Sequence, residues 1–118
     1  MSSKAALKAV RTALDSKDYD TAVTKARDLV QQDPQNYHGN IFLGLAYDKL
    51  NKAEEAEQAY LAATRIKDSD KTAWQGLVAL YEKQGNYKLD AWHEAALRLA
   101  QIFADGYFLY FLSSILEQ

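Results

Sequence analysis

Few residues in this chain are able to do covalent, redox or metal chemistry. There is no Cys, which excludes thiolate nucleophiles, disulfides and thiolate metal sites. His38 and His93 are the only histidines. A helical zinc pair needs a second His four residues further on, and His93-Glu94 has none. Asp15, Asp18 and Asp20 alternate as calcium ligands do. A calcium loop also needs a central Gly and a distal Glu, so this segment reads as a solvated turn with a helix cap. Gly39, Gly44, Gly76, Gly85 and Gly106 form no phosphate-cradling motif. Ser and Thr are present, but a nucleophile needs a base and an orienter, and neither His stands in such a constellation. We therefore expect no catalytic residue, no cofactor and no metal.

What remains is recognition, and that depends on the elements that position the side chains. The chain has 118 residues, 48% of them hydrophobic and 25% charged, which suits one folded soluble domain. Lys plus Arg number 14 and Asp plus Glu 16, a net charge of −2. Nucleic-acid binding needs surplus cations for the phosphates, so no direct nucleic-acid contact is expected. Nothing apolar follows Met1-Ser2-Ser3-Lys4 closely enough to read as a secretory signal. The expected location is cytoplasmic or nuclear.

A single Pro points to helices, since Pro breaks helix interiors. Leu43, Ala46, Tyr47 and Leu50 fall at i, i+3, i+4, i+7. So do Ala56, Ala59, Tyr60 and Ala63, and so do Trp74, Leu77, Val78 and Tyr81. Each set occupies one helix face. Breaks are expected at Asp15–Asp18, with Asp18 as N-cap, and at Asp33-Pro34, where Pro34 disfavours a helical Asp33. Others are expected at Asn51-Lys52, at Lys67–Asp70 and at Gly85.

Tyr47 and Tyr81 are 34 residues apart, as are Leu43 and Leu77, Ala22 and Ala56, and Ala26 and Tyr60. A 34-residue helix–turn–helix period with small and aromatic residues at matched offsets is identified as the tetratricopeptide repeat. The expected fold is all-α: a helix-turn-helix solenoid of three repeats, about 3–36, 37–70 and 71–104, with a C-terminal apolar helix over 107–118. In the third repeat, counting on from Ala56 and Tyr60 gives Asp90 and Glu94, which are not core residues. Its second helix should instead use Leu89, Trp92, Ala96, Leu99, Ala100 and Phe103, as an atypical terminal unit.

After Asp105-Gly106 the run Tyr107–Leu116 is apolar. Ten residues fall short of the roughly 17–25 a membrane span needs, and extension backward meets Asp105 and Arg98. A seventh helix is expected, packing Phe108, Phe111, Leu112 and Ile115 onto the sixth. A tail anchor is the alternative. The apolar outer face reads as the start of a longer solenoid or as a shortened product.

Such repeats present their first helices on a concave, partner-binding surface. The in-register positions are Lys4, Arg11 and Asp15 in the first repeat, His38, Ile41, Leu45, Asp48 and Lys49 in the second, and Gln75, Ala79, Glu82 and Lys83 in the third; of these Arg11, His38, Ile41, Leu45, Asp48, Gln75 and Glu82 are the candidates. Ile41 and Leu45 stand out as apolar on a face the helix pair does not need, which suggests a contact such as one with the neighbouring repeat. A chaperone-binding class clamps a C-terminal carboxylate with Lys, Asn and Arg. Here the matching positions hold Leu7, Arg11, Leu45, Thr72 and Gly76, so that ligand is disfavoured.

The start Met1-Ser2-Ser3-Lys4 and the run Ala73-Trp74-Gln75-Gly76-Leu77-Val78-Ala79-Leu80-Tyr81-Glu82-Lys83 together resemble the N-terminal part of the tetratricopeptide subunit of the superkiller (Ski) complex. The resemblance covers about residues 1–104 and implies a scaffold without chemistry of its own. It implies as partners an RNA helicase, a propeller-repeat subunit and the cytoplasmic exosome, in 3′-to-5′ mRNA decay. Two readings stand beside it: a stand-alone adaptor binding a peptide in its groove, and a tail-anchored membrane adaptor.

Overall fold

A computed structural model of the chain describes residues 2–117, apart from the side chains of Asn86 and Tyr87. Its helices are α1 (Ser3–Asp15), α2 (Tyr19–Gln32), α3 (Tyr37–Lys49), α4 (Ala53–Ile66), α5 (Lys71–Lys83) and α6 (Leu89–Leu116), with a 3-10 turn at Gly85–Lys88. No strand occurs among the described residues. The all-α helix–turn–helix expectation holds. The period is visible in the element bounds: α1, α3 and α5 have 13 residues each and begin 34 residues apart. The pair α2 and α4 have 14 residues each and begin 34 apart.

Side-chain caps start the helices. Ser2 Oγ accepts from the Ala5 N–H at 3.2 Å. Asp18 accepts from the Thr21 N–H at 3.3 Å and from the Thr21 hydroxyl at 2.7 Å, as its expected N-cap role requires. Asn36 accepts from the Gly39 N–H at 2.8 Å, and Asp70 from the Thr72 N–H at 3.0 Å. Lys52, before α4, caps nothing with its side chain.

The turn inside each pair follows one rule. Lys17, Asn51 and Gly85 have φ of 60°, 61° and 75°, and they lie 34 residues apart in sequence. A left-handed residue ends the first helix, letting the Asp18 and Lys52 N–H groups reach back to the Ala13 and Tyr47 carbonyls, both at 2.9 Å. Only Gly takes this conformation without a steric cost, although Asn tolerates it.

Contacts divide the chain into two compact units, one ending at Asp68 and the other beginning at Ser69. In the first, α3 packs on α2 and α4 and also touches α1. It is therefore buried over most of its circumference: Tyr37, Gly39, Asn40, Ile41, Leu43, Gly44, Ala46 and Tyr47 are all inside. Asn40 keeps its amide satisfied by donating to the Asn36 carbonyl at 3.0 Å. The closest approach is at Gly44. A Cβ built there would stand 2.9 Å from two ring carbons of Tyr60, itself only 4% exposed. Arg27 donates to the Tyr47 phenol oxygen at 2.7 Å, tying α2 to α3.

In the second unit α5 packs on α6, burying Ala73, Trp74, Leu77, Leu80 and Tyr81. The 3-10 turn delays α6 to Leu89, two residues later than the 34-residue period places it. That delay is why the apolar stripe departs from the repeat pattern. The packed face is Ala91, Trp92, Ala95, Ala96, Leu99 and Ile102, buried or half-buried. Of the expected stripe, Leu89, Ala100 and Phe103 are exposed instead. The expected break at Asp105-Gly106 is absent, and with it the seventh helix. α6 runs 28 residues without interruption, about 42 Å at ~1.5 Å per residue. One Gly inside a helix costs only ~1 kcal/mol, too little to stop it between good helix formers. Phe108, Phe111, Leu112 and Ile115 are not packed on a sixth helix but are 39–60% exposed.

Gly44 and Gly106 thus call for opposite responses to alanine. Gly106 has nothing within 4 Å of its Cβ position, so Gly106→Ala should stabilise by up to ~1 kcal/mol through helix propensity alone. Gly44→Ala meets the Tyr60 ring, and overpacking of ~1–3 kcal/mol should outweigh that gain. Urea midpoints moving in opposite directions are the expected outcome. A stabilised Gly44→Ala would show that the α3–α4 approach is not tight.

Candidate partner-binding surface

The candidate surface of the first unit is the side of α1 and α3 that α2 and α4 leave uncovered. On α1, Lys4, Lys8 and Arg11 recur at i, i+4, i+7 and are exposed, so they share one helix face. The corresponding α3 residues, 34 further on, are His38, Phe42 and Leu45. The Arg11 guanidinium joins the two rows, its carbon lying 5.4 Å from the Phe42 ring centroid, within cation–π range. A shallow concavity of about 710 Å³ along α1 is lined by Ser2, Lys4, Ala5, Leu7, Lys8, Arg11, Thr12 and Asp15.

The structure sorts the candidates read from the sequence. Arg11 is exposed and reaches α3 as described. His38 is exposed, its ring edge-on to Tyr37 at 5.5 Å and 72°. Leu45 and Asp48 are half-buried. Ile41 is 7% exposed and so is a core residue, not a surface one. Its burial follows from α3 packing on α2 and touching α1 as well as packing on α4, a contact with the neighbouring repeat of the kind its apolar character suggested. In the second unit, taken by itself, Gln75 and Glu82 on α5 are exposed. Glu82 borders a depression of about 270 Å³ with Tyr81, Gly85, Leu89 and Trp92.

Lys8 and Phe42 were missed as surface residues. The signal was present, since both complete an i, i+4, i+7 row whose other members were named. Tyr60 also gains a property that burial alone decides. Desolvation, and behind it the charge of Asp48, pushes its phenol well above the usual tyrosine range. Arg27 is held more firmly protonated by its hydrogen bond to Tyr47.

Because folding favours the neutral Tyr60 phenol, its contribution to stability is complete below the unfolded tyrosine value of about 10 and declines as pH rises above it. Stability measured by circular dichroism should therefore fall above about pH 10, and Tyr60→Phe should reduce the slope. An unchanged slope would mean that the phenol is not desolvated.

The profile of the family described as Tetratricopeptide repeat matches residues 13–88. Superkiller protein 3 of Schizosaccharomyces pombe is 42% identical over 79 residues, which cover 67% of this chain and 6% of that protein. Superkiller complex protein 3 of Homo sapiens is 36% identical over 80 residues, 68% of this chain and 5% of that protein. The chain therefore spans about one-twentieth of the length of these curated relatives, and the superkiller resemblance read from the sequence stands. Among solved structures, MamA MSR-1 superposes with a TM-score of 0.71 at 21% identity, over 87% of this chain and 56% of that one. At that identity the likeness concerns the fold.

Proposed function

The chain belongs to the tetratricopeptide repeat family, and from that premise we propose that this interaction module serves a superkiller-type assembly. In that reading it contacts the helicase and propeller-repeat subunits and supports mRNA decay by the cytoplasmic exosome. The observation that carries the proposal is the 42% identity to a superkiller protein over 79 residues. The repeat fold and the scaffold relatives point to a non-catalytic domain, so the ATP-driven work would belong to the helicase. The proposed location is the cytoplasm, where that substrate is degraded. Affinity purification of the tagged chain from its native cytosol, read by mass spectrometry, should recover the helicase and exosome subunits. Recovery of neither would overturn the assignment to that assembly and leave an interaction module for some other partner.

A specific feature favours a second reading, a membrane contact through α6. The helix Leu89–Leu116 contains an 18-residue window of mean hydropathy 1.4, none of it buried. Residues 99–116 hold one charge, Asp105, with Gln101 donating to it at 2.9 Å. Eighteen helical residues span about 27 Å, close to a bilayer core of ~30 Å. Flotation with neutral phosphatidylcholine vesicles tests this. The full chain should float and a variant lacking 106–118 should not. A full chain left at the bottom of the gradient rules this reading out.

A further inference from the structure

α6 carries an apolar seam that α5 leaves uncovered. Leu89, His93, Leu97, Ala100, Ala104, Tyr107, Phe111 and Ile115 follow one another in steps of three or four residues, so they share one helix face over almost the whole of α6. All of them are exposed, and His93 alone is polar. Trp92, Ala95, Leu99 and Ile102, buried or half-buried, occupy the face packed on α5. Asp90, Glu94, Arg98, Gln101 and Asp105 recur at the same steps and form a polar stripe on the other side of the seam.

The seam reads alike in both directions. Counted outward from its middle, Ala100 mirrors Ala104, Leu97 mirrors Tyr107, His93 mirrors Phe111 and Leu89 mirrors Ile115. Small residues hold the centre and large ones the two arms. We infer that α6 pairs antiparallel with α6 of a second copy of this chain, about a two-fold axis beside Ala100 and Ala104. This goes beyond the assembly reading and stands without it.

A two-fold pair needs one patch that complements itself, and a mirrored seam is such a patch. The central alanines let the two helices approach closely. The Leu89–Leu97 arm of each copy then meets the Tyr107–Ile115 arm of the other. At its end Leu89 borders the depression of about 270 Å³ that it lines with Tyr81, Glu82, Gly85 and Trp92, where the second copy's Ile115 arrives. Leu89, Leu97, Tyr107, Phe108, Phe111 and Ile115 are 50–72% exposed. At about 100 Å² of open side chain apiece, two copies cover roughly 1,200 Å², enough for a standard interface. Antiparallel order also sets the positive end of each helix dipole beside the negative end of the other. It holds the two Asp90–Glu94 segments apart, where a parallel pair would bring like charges together. A bilayer suits the seam less well: a span over 99–116 leaves Leu89 and Leu97 uncovered and places Asp105 in hydrocarbon at a cost.

Sedimentation equilibrium of the full chain should give twice the chain mass. Ala100→Glu/Ala104→Glu sets carboxylates against each other at the centre and should give a single chain mass, with helix content unchanged by circular dichroism. Ala100→Glu/Ala104→Lys should restore the dimer, because antiparallel pairing sets the introduced glutamate against the introduced lysine. Oxidative cross-linking reads the orientation, in a chain with no Cys of its own. Leu97→Cys mixed with Tyr107→Cys should give a disulfide-linked dimer. Leu97→Cys alone should not, because its two copies stand about 15 Å apart along the axis at ~1.5 Å per residue, beyond disulfide reach. A single chain mass for the unaltered protein overturns the proposal. So does a mass above two chains, since a mirrored seam closes on itself. Equal cross-linking by Leu97→Cys alone overturns the antiparallel order. If neutral phosphatidylcholine vesicles float the chain and abolish the mixed cross-link, the seam belongs to the bilayer and the proposal falls.

Discussion

The approach of α3 to α4 at Gly44 is the constraint on which the first unit depends. With no side chain at Gly44 the Tyr60 ring lies against the helix backbone, and a single added carbon would stand 2.9 Å from it. That closeness draws α3 inward until it packs on α2 and α4 and touches α1. Buried this way, α3 spends Tyr37, Ile41 and Tyr47 on the core. The Arg27–Tyr47 hydrogen bond of 2.7 Å then gives the phenol oxygen a partner at the edge of that core, where leaving it unmade would be costly. The raised Tyr60 phenol is a by-product of the same packing. Aromatic side chains that look chemically versatile in the sequence are structural here.

The turns explain how one rule yields two outcomes. Each first helix ends in a left-handed residue, at Lys17, Asn51 and Gly85. After Lys17 and Asn51 the next helix begins two residues on. After Gly85 a 3-10 turn intervenes, and α6 starts late. A shift of two residues turns a helix by about 200° at ~100° per residue, so the pattern positions of the repeat no longer face α5. Trp92 and Ala95 take the inner face, with Ala95 only 2% exposed. The same helix then outruns its partner: the Lys71 ammonium still stands 5.7 Å from the Phe103 ring centroid, but Tyr107–Leu116 keep their large apolar side chains exposed.

The described residues leave two exposed surfaces of different character. The α1–α3 face combines unpaired cations with half-buried apolar residues and suits polar recognition. The distal part of α6 exposes Phe103 and the consecutive residues Tyr107, Phe108, Leu109, Tyr110 and Phe111 by half or more, and five consecutive residues point all round the helix. An exposed apolar surface that large marks a contact of some kind.

The sequence by itself determined the helices, their 34-residue spacing, the cap at Asp18, most of the core and the family. These are local or periodic properties: which residue types sit three and four apart, and which accept a backbone N–H. It also determined the row of Lys4, Lys8 and Arg11, although only two of the three were noticed. The tertiary structure decided what depends on how many neighbours an element has. Ile41 became core because α3 packs on more than its pair partner. Tyr60 lost its solvent because Gly44 let it in. Phe108 and Ile115 stayed exposed because Gly106 did not break the helix and so nothing folded back to cover them. Spacing along one chain reports which face a residue shares; it does not report what stands opposite that face, and burial is set there.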